Sequence, residues 1–166
     1  MVSRGEESEE NKKGIKENDM FTHSCFIRAN SKYLAMKLQD IGYYTYNPND
    51  YEDEPSDWCT VTRAEDGCAG IWCNPPKGEA LCCRIDCGTN EDLFLAIAAL
   101  RDDTDKNQWF VHNDTGLFME CIYDEFHFFC FNPFDALDYK DKKKEWHKAT
   151  VEELIEHFSK DKQDKQ

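Results

Sequence analysis

The chain has 166 residues, 40% of them hydrophobic, with 34 acidic against 20 basic residues and a formal net charge of −14. That length suits one domain with one core, and the charge argues against phosphate backbones, and hence nucleic acid, as a direct ligand. The longest apolar run, Leu93 to Leu100, is eight residues, far short of the roughly 20 that cross a bilayer.

Residues 1–19 alternate in charge sign and hold no aromatic ring, so a disordered charged tail is expected there. A single α+β domain follows over 20–160, and 161–166 read as a frayed polar end. Thr22 to Ala29 favours strand, and Asn30 and Ser31 are good helix starters. Apolar spacing then predicts a helix over 32–41, stopped by Gly42. Tyr43 to Tyr46 favour strand before an acidic loop, 47–57, broken by Pro48 and Pro55. Residues 58–64, 69–73 and 80–87 read as three strands of an antiparallel meander.

A helix over 90–101 comes next, with Thr89 as its cap and a stripe of Leu93, Phe94, Ile97 and Leu100. Residues 108–112 and 117–123 predict a hairpin around Asn113 to Gly116, and 126–131 a further strand. Thr150 to Glu153 fit a capping box for a closing helix over 151–160. The expected architecture is a mainly antiparallel sheet packed by about three helices.

The run Arg84 to Asp103, RIDCGTNEDLFLAIAALRDD, resembles a segment of small uncharacterised proteins of anaerobic gut bacteria and their phages, and Lys148 to Phe158, KATVEELIEHF, is similar to their closing helix. The resemblance extends from about His23 to Phe158. It implies a small cytoplasmic accessory protein associated with a phage or mobile element, and it assigns no activity and no catalytic residue.

Nine cysteines and no apolar leader segment point to a reducing cytoplasm and to thiols, not disulfides. Cys59, Cys68, Cys73, Cys83 and Cys87 form the one candidate zinc set, but no C-x2-C pair occurs and packed core thiols fit the strand alternation better. In an extended strand Cys83, Ile85 and Cys87 would share one face. Asp103-x-Asp105-x-Asn107 with Asp114 imitates a calcium loop, yet Gln108 occupies the position that needs glycine. His112 beside Asp114 and His23 beside Cys25 lack a nucleophile elbow, and no phosphate-binding glycine loop is present. No cofactor is implied.

Two features suit a protein partner. The loop residues Asp50, Tyr51, Glu52, Asp53, Glu54, Asp57 and Trp58 combine charge steering with aromatic anchors; an ordinary solvated loop is the plain alternative. Adjacent Phe128 and Phe129 would point to opposite faces of a strand, so one of them needs cover from the last helix or from a partner. The expected function is an acidic protein-binding module or inhibitor. A small hydrolase or metal-dependent enzyme, and a subunit of a homo-oligomer or virion, are the alternatives.

Overall fold

The computed structural model describes residues 21–45, 59–72, 83–123 and 143–160. Strand β1 (Cys25–Ile27) leads into helix α1 (Lys32–Asp40). The hydroxyl of Ser31 accepts the Leu34 amide at 3.2 Å, filling one of the donors a helix start leaves open. Leu34, Ala35 and Leu38 turn inward at spacings of one turn. Strand β2 (Tyr44–Thr45) is two residues long, and β3 (Cys59–Arg63) and β4 (Cys68–Trp72) form an antiparallel hairpin.

The third strand of the expected meander departs from it. Strand β5 (Ile85–Asp86) crosses to the far side and pairs in parallel with β1. The five-stranded order is therefore β2-β4-β3-β1-β5, with β2 parallel to β4. At Cys83 a left-handed φ of 69° ends extended backbone, so Cys83 is exposed and does not continue the face of Ile85 and Cys87. Between β1 and β3 the ladder is completed by a side chain: the buried Thr62 hydroxyl accepts the Cys25 amide at 2.9 Å and donates to the Cys25 carbonyl at 3.1 Å.

Helix α2 (Glu91–Ala98) is the hub of the core, with Leu93, Phe94, Ala96, Ile97 and Ala98 all buried. Its cap is Asn90, whose Oδ1 accepts the Leu93 amide at 3.2 Å. Thr89, the cap expected from sequence, instead lies in a turn next to Gly88, where φ is +58°. The Asn90 amide also donates to the Phe158 carbonyl at 3.2 Å, so one side chain ties the start of α2 to the end of the closing helix α3 (Val151–Lys160).

Strands β6 (Trp109–His112) and β7 (Phe118–Glu120) form the expected hairpin, and β8 (Trp146–Lys148) adds to the other side of β6, giving the order β7-β6-β8. The sequence did not announce β8, a three-residue strand in a polar stretch. The capping box of α3 is complete: the Thr150 amide donates to Glu153 Oε2 at 2.8 Å, and the Glu153 amide to the Thr150 hydroxyl at 3.3 Å. Ile27, Leu34, Phe94, Val111 and Leu154 belong to one apolar cluster that joins both sheets to all three described helices. Two mainly antiparallel sheets and three helices thus make an α+β fold. No described helix is long and apolar enough to cross a membrane.

Candidate functional site

Helix α1 buries one face and leaves Tyr33, Lys37 and Asp40 on another, spaced four and three apart. Beneath that second face runs a groove of about 560 Å³. Leu95, Ala96 and Ala99 of α2 line it, and the small alanines leave it depth. Trp109, Glu120 and Phe158 complete the lining from the three-stranded sheet and α3. Trp109 stands opposite Glu120 in the β6–β7 register, and its indole meets Phe158 edge-on at 5.3 Å between ring centres. The Tyr33 ring is half exposed, at 52%. Past Asp40 and Asn107 the groove runs into a smaller cavity of about 250 Å³ beside Gly42, Thr104 and Arg101. Asn107 holds a left-handed φ of 60° there, a conformation asparagine tolerates better than other side chains.

The charges of this groove are unevenly engaged. Lys37 Nζ sits over the Tyr33 ring, 5.7 Å from its centre, and Lys106 is held by a partner of its own. Among the described residues nothing donates to the carboxylates of Asp40, Asp92 or Glu120, although all three line the groove. They stand on the rim of a floor that Leu95, Ala96 and Ala99 make apolar.

A second cavity, of about 480 Å³, lies between the start of β1, the end of α2 and the start of α3. Lys148, Arg101 and Gln108 in its lining bond to neighbouring groups, whereas nothing among the described residues donates to the carboxylates of Asp102 and Glu152, which also line it. Lys148 Nζ donates to the carbonyls of Arg101 at 3.1 Å and Thr104 at 2.6 Å and pairs with Asp105 at 3.4 Å. The Arg101 guanidinium forks onto Asp103 at 2.8 and 2.6 Å, and this contact holds the Asp103 carboxyl below the usual carboxylate range. Gln108, buried to 1%, accepts the Arg101 amide at 3.0 Å and donates to the carbonyls of Ala99 at 2.6 Å and Lys106 at 3.1 Å. The loop that imitates a calcium site therefore closes on Gln108, and Asp103 and Asp105 are taken by the chain's own cations.

Among the described histidines, His147 is bonded through both ring nitrogens. Its Nδ1 lies 2.7 Å from Asn113 Oδ1 and its Nε2 lies 2.9 Å from Glu153 Oε1. Burial raises the Glu153 carboxyl, but the Thr150 amide and the His147 ring outweigh it and leave it below its ordinary value. His112 Nδ1 accepts the amides of Asp114 and Thr115, both at 3.3 Å, and so shapes the β6–β7 turn. His23 is exposed. No serine, threonine or cysteine side chain bonds to a histidine ring among the described residues.

Cys59 and Cys68 stand at opposite ends of the β3–β4 hairpin, opposite Trp72 and Arg63 respectively. Cys87 lies against Cys25 in the core, and that hydrogen bond, with burial, pushes the Cys87 thiol up. Cys25, Cys59, Cys68, Cys83, Cys87 and Cys121 all carry thiols. No group of three His, Cys, Asp or Glu side chains placed to hold a metal occurs among the described residues. Cys73, Phe128, Phe129 and the acidic loop residues Asp50, Tyr51, Glu52, Asp53, Glu54, Asp57 and Trp58 lie outside the described residues, as do 1–19 and the 126–131 strand. The groove residues escaped sequence reading because Tyr33 counted as half-buried helix and Trp109 as hairpin. The signal present was the Tyr33, Lys37, Asp40 spacing away from the core stripe.

No family model matches this chain, and no curated protein or solved structure matches it either.

Proposed function

We propose that this chain is an acidic protein-binding module whose contact surface is the groove between α1, α2 and the three-stranded sheet. One observation carries the reading: the half-exposed Tyr33 ring, the partly buried Trp109 and Leu95, and three carboxylates that meet no donor among the described residues line one concavity of about 560 Å³. Interfaces concentrate their binding energy in aromatic anchors within such pockets, while charge selects the partner and speeds encounter. The six thiols suit a reducing cytoplasm, and the resemblance of 84–103 and 148–158 to proteins of gut bacteria and their phages supports an accessory role on a mobile element, with inhibition of the partner as one form of it.

The test is site-specific photocrosslinking. A photoreactive phenylalanine analogue replaces Tyr33 in the full chain, and a second copy of the experiment places it at Ile155, an exposed position on α3. The expected result is a discrete crosslinked protein from position 33, absent from position 155 and lost when Trp109→Ala is added. Equal labelling from both positions would remove the groove from the interface.

A further inference from the structure

We infer that the occupant of this groove is an extended, arginine-bearing segment of a protein partner, an inference that rests on the protein-binding reading above. The carboxylates are the starting point. Asp40 closes α1, Asp92 opens α2, and Glu120 ends β7, so each comes from a different element. Asp40 and Ala99 also border the adjoining cavity, whereas Asp92 does not. Asp92 and Asp40 therefore mark opposite ends of a floor that spans Asp92 to Ala99, about 10 Å at 1.5 Å per helical residue. That separation agrees with the lack of any three-ligand metal cluster among the described residues. One small ion cannot satisfy carboxylates so far apart, but an extended segment of about three residues, at roughly 3.3 Å each, can.

The walls decide which cation. Tyr33, Trp109 and Phe158 supply ring faces and edges, while Leu95, Ala96 and Ala99 supply aliphatic surface. A guanidinium is planar, stacks on aromatic rings, sheds water more readily than an ammonium and can fork onto a carboxylate; its methylene stem covers aliphatic floor. Of the groove's own cations, Lys37 is seated over the Tyr33 ring, and no hydrogen bond or ion pair joins it to Asp40, Asp92 or Glu120 among the described residues. At long range the net charge of −14 draws a basic partner toward this face.

The experiment follows the indole N–H resonance of Trp109 in the ¹⁵N-labelled full chain, assigned by its disappearance in Trp109→Phe. Three acetylated, amidated tetrapeptides are titrated, alternating leucine with arginine, lysine or glutamine. The arginine peptide is expected to move the Trp109 signal saturably and to bind several-fold more tightly than the lysine peptide, with no saturable shift from the glutamine peptide. In the double variant Asp92→Asn, Glu120→Gln its half-saturation should rise about tenfold while the other indole signals keep their positions. Glutamine binding as tightly as arginine, or a double variant that binds unchanged, would overturn the inference. So would spermidine moving Trp109 as far as the arginine peptide does, since the groove would then be a small-cation site. The crosslinks from position 33 separate the two levels. A crosslinked partner segment without basic residues leaves the protein-binding reading standing and defeats this one; the absence of any crosslinked protein from position 33 defeats both, whatever the peptides do.

Discussion

The two larger cavities are similar in size, about 480 and 560 Å³, and differ in what their basic and amide side chains do. In the first, Lys148, Arg101 and Gln108 are bonded to backbone groups and to Asp103 and Asp105 beside the cavity, and the Asp102 and Glu152 carboxylates of its lining meet no donor among the described residues. In the second, Asp40, Asp92 and Glu120 meet no donor from the described protein. Polar side chains bonded within the protein hold the fold together, because removing one partner strands the rest. Carboxylates on an exposed rim that no protein donor holds contribute little to stability. The anchored Lys148, Arg101 and Gln108 give the first cavity a structural part, and the second is the surface proposed for binding.

Mutations that tell the two apart should differ in size. Gln108→Leu keeps the volume but strands the Arg101 amide and the Ala99 and Lys106 carbonyls; a loss of about 3 kcal/mol is expected, read as a lower urea midpoint at unchanged slope. Thr150→Ala, at the edge of the same cavity, removes the acceptor of the Glu153 amide and should cost about 1 kcal/mol.

Acid sharpens the comparison further. The Asp103 carboxyl is depressed in the folded chain, chiefly by its bonds to Arg101, so it binds protons more weakly folded than unfolded. Its contribution is present above the unfolded value, near 3.9, and is lost as pH falls through the lower folded value. With the Asp103 side chain 48% exposed, solvent screening keeps this below about 1 kcal/mol. Asp103→Asn should therefore lower stability at pH 7 and match the parent at pH 2, measured by urea unfolding at both. Smallest of all, Asp92→Asn with Glu120→Gln should change stability by no more than about 0.5 kcal/mol; a loss above 2 kcal/mol would mean that the groove carboxylates are structural after all.

The two halves of this contrast were unequally legible. The helices were readable because each combines a periodic apolar stripe with a capping residue: α3 begins and ends where predicted, and α1 stops one residue early, at Asp40. Near-neighbour pairing was readable too, as in the β3–β4 and β6–β7 hairpins. Long-range pairing was not. The parallel seat of β5 beside β1 joins residues some 60 positions apart, and nothing local in Ile85-Asp86 encodes it. The internal cavity depends on Gln108, visible in sequence only as a residue that spoils a calcium loop. The groove depends on Tyr33, Asp92, Trp109 and Glu120, which share no window of sequence and are brought together by α2.

Among the described residues the five-stranded sheet ends in a two-residue strand on each side, β2 at Tyr44–Thr45 and β5 at Ile85–Asp86. An unpaired strand margin is a template on which another extended chain can zip, and the attraction grows with the number of backbone groups in line. Margins this short offer an incoming strand only a couple of hydrogen bonds. Crowding many copies together should accordingly produce few sheet-to-sheet adducts through these two described edges.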